Sequence, residues 1–204
     1  MNFLETVLTR RSVRQFDEEK IVTEKDLKTI LTAGMYAPSA MNKQPWEFIV
    51  IQDKETLKKI TEIHPYAHFL MQAGTAVIPC ENSAVSYEGY GPLDVALASE
   101  NILLTAHSMG YGGCFCGVYP ETKIMEKLAE LLNLPENVVP IALLVLGTPG
   151  AVELTQPDRF DAGKIHKNQG LCRFDTALDR FLFLFRYFRS PIGYFVIYPA
   201  RAAF

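Results

Sequence analysis

The chain has 204 residues, 49% of them hydrophobic, a length that buries most of one sizeable core and fits one compact domain better than two. Its 20 Lys and Arg against 23 Asp and Glu give a net charge of −3, which leaves no global field to recruit nucleic acid or an anionic membrane. The opening residues alternate charged and apolar positions with no apolar stretch of a leader or anchor. Cys80, Cys114, Cys116 and Cys172 are too sparse for a disulfide framework and lack paired zinc spacing, so a cytoplasmic protein with buried thiols is expected.

Residues 2–10 open with a short helix. A second is predicted over 24–35, where Thr23 can cap and Leu27, Ile30 and Leu31 recur at helical spacing; Gly34 to Pro38 end it. Trp46 to Ile51 is short, β-branched and aromatic and reads as a strand, after which Asp53 caps a helix carrying Leu57, Ile60 and Ile63 that His64-Pro65 stops. A second strand falls near Thr75–Cys80, followed by a loop over 81–92 and a long helix over 93–109. In that helix Ala96, Ala98, Ser99 and Ala106 permit a close neighbour while Leu93, Leu97, Leu103 and Leu104 supply apolar surface, which predicts burial on several sides.

A glycine-rich turn is predicted at 110–117, then Pro120 in the first turn of a helix whose apolar face carries Ile124, Leu128, Leu131 and Leu132. Val138–Leu146 reads as one fully buried strand. Strands and helices intermix without a regular βαβ rhythm, which favours a layered α+β fold over a doubly wound one. The composition shifts near residue 169: Leu171–Phe204 is rich in Phe, Tyr and Arg, but Arg186, Arg189 and Pro191 leave too few continuous apolar residues for a spanning helix, which needs about 20. The chain is therefore divided into a domain over 1–169 and an atypical aromatic-rich tail over 170–204.

Three local features carry chemistry. Arg10-Arg11-Ser12-Val13-Arg14 gathers guanidinium forks and a hydroxyl suited to a phosphate, and Arg10 and Arg14 converge on one face if helicity continues through them; taken alone, such a cluster is more often a solvated basic face. Ala37-Pro38-Ser39-Ala40-Met41-Asn42-Lys43-Gln44-Pro45-Trp46 is a proline-bracketed loop whose Asn42 and Gln44 each offer the acceptor and donor needed to read a heterocycle's pyrimidine edge; the plain alternative is a connection that turns at Asn42 and anchors on Trp46. Gly110-Tyr111-Gly112-Gly113-Cys114-Phe115-Cys116-Gly117 lets a backbone approach a planar ligand, although its spacing fails the dinucleotide fingerprint and a helix C-cap explains Gly110 equally well.

Together, in this order and spacing, the three features resemble the FMN-dependent nitroreductase family. The resemblance extends through Leu93–Gly110, similar to the family's central dimer-interface helix, to Gln156-Pro157-Asp158-Arg159-Phe160 and Lys164-Ile165-His166, similar to its closing segment. It implies a layered α+β fold with a central, mostly antiparallel sheet flanked by helices, in a homodimer whose active sites lie between subunits. Arg10, Ser12 and Arg14, with Arg11 a weaker candidate, would hold the FMN phosphate and ribityl chain. Pro38, Ser39, Asn42 and Gln44 would contact the isoalloxazine, in this family usually from the partner chain, and the backbone at Cys116 and Gly117 would face flavin N5 and O4. Lys164 or His166 would add a phosphate contact.

The implied activity is ping-pong transfer of hydride from NAD(P)H through FMN to a nitroaromatic, quinone or similar acceptor, with no side chain acting as nucleophile or base. Reductive dehalogenation or dehydrogenation on the same fold, and a flavin-holding sensor without turnover, are the alternatives. A zinc reading of His107, Cys114 and Cys116 lacks a fourth ligand and standard spacing, so no metal is assigned. Larger family members often place a lysine near the flavin pyrimidine within the stretch corresponding to 64–76. This chain has none there, and His64 and His68 read either as substitutes or as surface or helix-end histidines.

Overall fold

Strand formation follows the β-branched and aromatic runs. In the computed structural model, Trp46–Ile51 (β1), Thr75–Asn82 (β2), Gly112–Gly117 (β3), Val138–Pro140 (β4) and Ala142–Gly147 (β5) make one sheet in the order β1-β2-β5-β3, with β4 also paired to β2. All these pairings are antiparallel. The structure describes residues 1–151 and 155–168. The expected tail and Cys172 lie outside them.

Period-two alternation sends the sheet's side chains into two cores. Ile78, Cys80, Cys114, Cys116, Leu143 and Val145 meet Leu57 and Ile60 of α3 (Lys54–Ile63), Leu70 of α4 (Leu70–Ala73) and Leu128 of α6 (Thr122–Leu131). Val77, Leu144 and Leu146 meet Leu27 and Ile30 of α2 (Glu24–Met35) and Ile102, Leu103 and Ala106 of α5 (Gly91–Ser108). The expected arrangement of helices on both faces of an antiparallel sheet is what forms.

The helix starts were written in side chains that satisfy otherwise orphaned N–H groups. Asn2 and Glu5 close a capping box on α1 (Phe3–Thr9), Thr23 Oγ1 accepts from Asp26 N at 3.2 Å, and Asp53 Oδ2 accepts from Thr56 N at 2.8 Å.

Four expectations are corrected. Residues 112–117 are a strand, not a turn: only Gly110, at φ +89°, makes the turn out of α5, and from Gly112 the backbone pairs with β5. A Cβ on Gly112 would stand 2.9 Å from Val13 Cβ and one on Gly113 2.7 Å from Leu103 Cδ2, so these two glycines admit protein neighbours rather than a ligand.

The stretch 138–147 is two strands, because the register against β2 shifts by one residue between Cys80↔Pro140 and Val77↔Leu144. Pro79 accepts from Ile141 N at 3.0 Å but has no N–H to return, so Ile141 O turns instead to Val118 N at 3.2 Å and Tyr119 N at 2.9 Å, and a bulge results. Pro120 lies outside α6, whose N-cap is Glu121. Finally, α5 is buried on one side only, with Leu93 61% and Leu97 48% exposed.

The chain divides into two compact units, Met1–Gln156 and Pro157–Phe204. In the second, the described residues hold a single 3-10 turn, Ala162–Lys164, capped by Asp161. No helix among the described residues is long and apolar enough to cross a membrane.

Leu144 lies fully buried in the middle of β5. Truncating it to alanine leaves a cavity in the most confined part of the core, and Leu144→Ala is expected to lower the unfolding free energy by about 2–5 kcal/mol in denaturant titrations. A loss under about 1 kcal/mol would contradict the packing described.

Candidate functional site

The first half of the site is built on the outer edge of β3. Val118 N donates inward to Ile141 O, whereas Gly113 O accepts from Val13 N at 3.0 Å on the opposite side, where Ser12 bridges Gly113 in parallel. Because backbone groups alternate along a strand, Gly113, Phe115 and Gly117 direct theirs outward and Cys114 and Cys116 theirs toward β5. Of the expected pair Cys116 and Gly117, then, Gly117 alone presents an outward N–H. A Cβ built on it would meet nothing within 4 Å, so the space beside it is open.

The cationic segment lies along the same edge, though not as a helix. The α1 helix ends at Thr9, and Arg10 already has extended geometry at φ −55° and ψ 130°, so Arg10 and Arg14 do not share a helical face. The charges of both act on the Cys114 thiol instead. Its thiol is held below the usual thiol range, first by the neighbouring Cys116 side chain and then, against its burial, by Arg14, Ser12 and Arg10. Cys80, buried away from such partners, is pushed up to about 12.

The three arginines are engaged differently. Arg10 pairs with Glu100 at 3.3 Å, a half-exposed pair worth about 0–1 kcal/mol that a phosphate can outcompete. Arg11 is engaged by backbone carbonyls, donating through Nη1 to Arg10 O at 2.6 Å and through Nε to Thr155 O at 3.1 Å. Arg14 and Ser12 are exposed, and Arg14 has no hydrogen-bond or ion-pair partner among the described residues.

The Pro38–Gln44 loop forms the other half. Its backbone is unusual: Met41, Asn42 and Gln44 all have left-handed φ of 51–53°, a region that costs non-glycine residues about 1–2 kcal/mol each, Asn less. Ser39 Oγ accepts from Gln44 N at 2.9 Å, and Gln44 Nε2 donates to Asn42 Oδ1 at 3.3 Å, which leaves both carboxamides exposed on a braced turn. Asp94, in the first turn of α5, accepts from Ala40 N at 3.0 Å through Oδ1. The residue is buried, and its Oδ2 has no hydrogen-bond partner among the described residues. Sequence reasoning passed over Asp94 because an acid in a first helical turn needs no further explanation.

The two halves do not meet in one chain. Asp94 ties the loop to the start of α5, while Arg10 and Thr9 engage Glu100 and His107 further along it. At 1.5 Å per residue those anchors lie about 9 and 20 Å beyond Asp94. Lys164 and His166 are exposed members of the second unit.

Two histidines depart from a surface reading. His64 is the C-cap of α3 and a helix-end residue as expected, but it is 2% exposed, with Nε2 3.0 Å from Gly117 O and Nδ1 accepting from Tyr66 N at 3.3 Å. His107 Nε2 lies 2.9 Å from Thr9 Oγ1. His68 is exposed.

The nitroreductase family profile matches residues 7–66 and 64–148, spanning both halves of this site. The chain belongs to the nitroreductase family. A Methanothermobacter thermautotrophicus protein with the provisional name NADH dehydrogenase/NAD(P)H nitroreductase is 40% identical over 167 residues, covering 81% of this chain and 86% of its own. Among solved structures, a Bacteroides thetaiotaomicron protein of the same provisional name superposes with TM-score 0.78 at 38% identity over 82% of this chain and 98% of its own. An FMN-dependent nitroreductase from Clostridium difficile gives 0.75 at 25% identity, over 82% and 99%. As a nitroreductase-family member, the chain is an oxidoreductase.

Partial burial, then the charges of Arg10 and Arg11, hold the His107 imidazolium below its ordinary pKa of 6.5. The unfolded chain therefore takes up the proton first as pH falls, so this group withdraws stability on acidification through about 6.5 and not on alkalinisation. His107→Gln, which retains an amide for Thr9, is expected to show a smaller drop in melting temperature than wild type between pH about 7.5 and about 5.5. Equal drops would remove His107 from the account.

Proposed function

We propose that this nitroreductase-family enzyme holds FMN between two copies of the chain and catalyses NAD(P)H-dependent reduction of nitroaromatic, quinone or similar acceptors by alternating half-reactions. The observation that carries the reading is the outer edge of β3, which has cationic and hydroxyl donors at one end and an outward backbone N–H beside open space at the other. Bound FMN would supply the hydride relay, which no protein side chain can provide.

The donor set fits that group. Arg14, Arg10 and Ser12 would hold the phosphate and ribityl oxygens, Arg14 foremost because its guanidinium has no partner among the described residues. Gly117 N–H would orient the reacting edge of the ring and stabilise negative charge there. Pro38, Ser39, Asn42 and Gln44 would read the ring's polar rim, with the two carboxamides supplying paired donors and acceptors. Arg11 is a weaker candidate because two of its N–H groups already bond backbone carbonyls, and Lys164 and His166 are proposed as phosphate contacts on the family resemblance.

The homodimer is supported by two observations. Asp94 anchors the loop well away from the arginines, so a second chain would bring its loop to the first chain's β3 edge. Leu93 and Leu97 on α5, with Phe3, Leu4, Val7 and Leu8 on α1, also expose apolar surface that favours association. The free thiols Cys80, Cys114 and Cys116 fit a cytoplasmic setting.

The test is the visible spectrum of the purified protein before and after anaerobic NADH or NADPH, with the chromophore identified by mass. Flavin absorption that bleaches is expected, Arg14→Ala should weaken FMN binding about tenfold or more, and Leu97→Asp should yield monomers that lose FMN. Bound FMN that neither nucleotide reduces would replace the enzyme reading with a sensing module. Protein that takes up no FMN would end the proposal, and a Leu97→Asp monomer that keeps FMN would end the shared site.

A further inference from the structure

His64 occupies the corner where the α3 terminus meets the end of β3. Its two ring nitrogens face groups of fixed character. Tyr66 N–H is a donor, at 3.3 Å from Nδ1, so Nδ1 is the acceptor; Nε2 then carries the proton and donates to Gly117 O at 3.0 Å. The turn that aims the ring is itself fixed, since Ala67 N donates to His64 O at 3.1 Å and Cys116 Sγ lies 4.0 Å from Tyr66 O.

The bond matters because of where it lands. Gly117 is the last residue of β3, has no Cβ to limit its rotation, and stands beside open space. The peptide that follows it is gripped on both sides, its carbonyl by His64 and its N–H, that of Val118, by Ile141 O at 3.2 Å. The peptide that precedes it is held by the β3–β5 ladder through Cys116. With both flanking peptides fixed, the dihedrals of Gly117 are fixed, and so is the direction of its N–H.

We propose that His64 is a positioning residue for the flavin: by holding the Gly117 carbonyl it keeps the Gly117 N–H aimed at the reacting edge of the ring. This rests on the FMN reading above and assigns His64 no contact with the flavin and no proton transfer. It also differs from the substitution of His64 for a pyrimidine-side lysine, because the ring's donor is already committed to the protein backbone.

The informative variants are His64→Gln, whose amide can reach the place of Nε2, and His64→Asn, whose amide stops near the place of Nδ1. In FMN-free protein, His64→Asn is expected to speed hydrogen exchange at the Val118 amide about tenfold, and His64→Gln to restore most of the protection. In FMN-loaded protein, His64→Asn is expected to slow flavin reduction by NAD(P)H about tenfold and shift the visible bands, with FMN affinity changed less than about threefold, again restored by His64→Gln. Wild-type exchange, spectrum and rate in His64→Asn, or identical behaviour of the two variants, would reduce His64 to packing and overturn the proposal alone. A wild-type protein that takes up no FMN would overturn the cofactor reading and this proposal with it.

Discussion

An edge strand carries backbone donors and acceptors that something must satisfy, and β3 is such a strand. The structure meets this demand in three different ways along six residues. At Gly113 the N-terminal segment comes alongside and Val13 takes the carbonyl; at Gly117 a buried imidazole takes the carbonyl; and the outward Gly117 N–H belongs to an exposed residue with open space over its Cα. The site follows from this division. The covered stretch brings Arg10, Ser12 and Arg14 to the edge, and the open stretch gives them something to point a ligand toward.

The second constraint is the length of α5. Because the Pro38–Gln44 loop is tied to its first turn and the arginine segment to its middle and last turns, through Glu100 and His107, one chain holds these two groups of candidate residues apart along the helix. The same helix leaves Leu93 and Leu97 uncovered. In the proposed dimer, a two-fold partner laid on that face would cover the leucines and bring a loop toward the opposite edge strand, so association and site completion would be one event.

What could be read from the sequence was whatever depends on near neighbours. Trp46–Ile51 is a strand and Glu24–Met35 a helix with the expected bounds, because alternation, spacing and the caps Thr23 and Asp53 act within a few residues. The misreadings arose where a distant group decides. Glycines at 112 and 113 suggest a turn unless Val13 and Leu103 are known to press against them, and the break at Ile141 is caused by a missing N–H on Pro79 in another strand. The arginines were singled out for a helical convergence that the extended backbone at Arg10 rules out. Asp94 was passed over, and His64 was considered only as a substitute for a lysine, because nothing local marks the amide or the carbonyl each one holds.

The loop shows most directly what such a site costs the fold. Left-handed backbone at Met41 and Gln44 costs about 1–2 kcal/mol at each. A buried Asp94 oxygen with no donor among the described residues costs about 1–3 kcal/mol more. Neither feature helps the chain fold, and both are outweighed by the two continuous cores on either side of the sheet. What they achieve together is orientation: the strained turn throws Asn42 and Gln44 outward, Ser39 braces it from within, and Asp94 pins it from below through Ala40. In the proposed site, a polar rim fixed before any ligand arrives would lose little entropy on binding, so strain retained in the folded chain would be returned as pre-organisation.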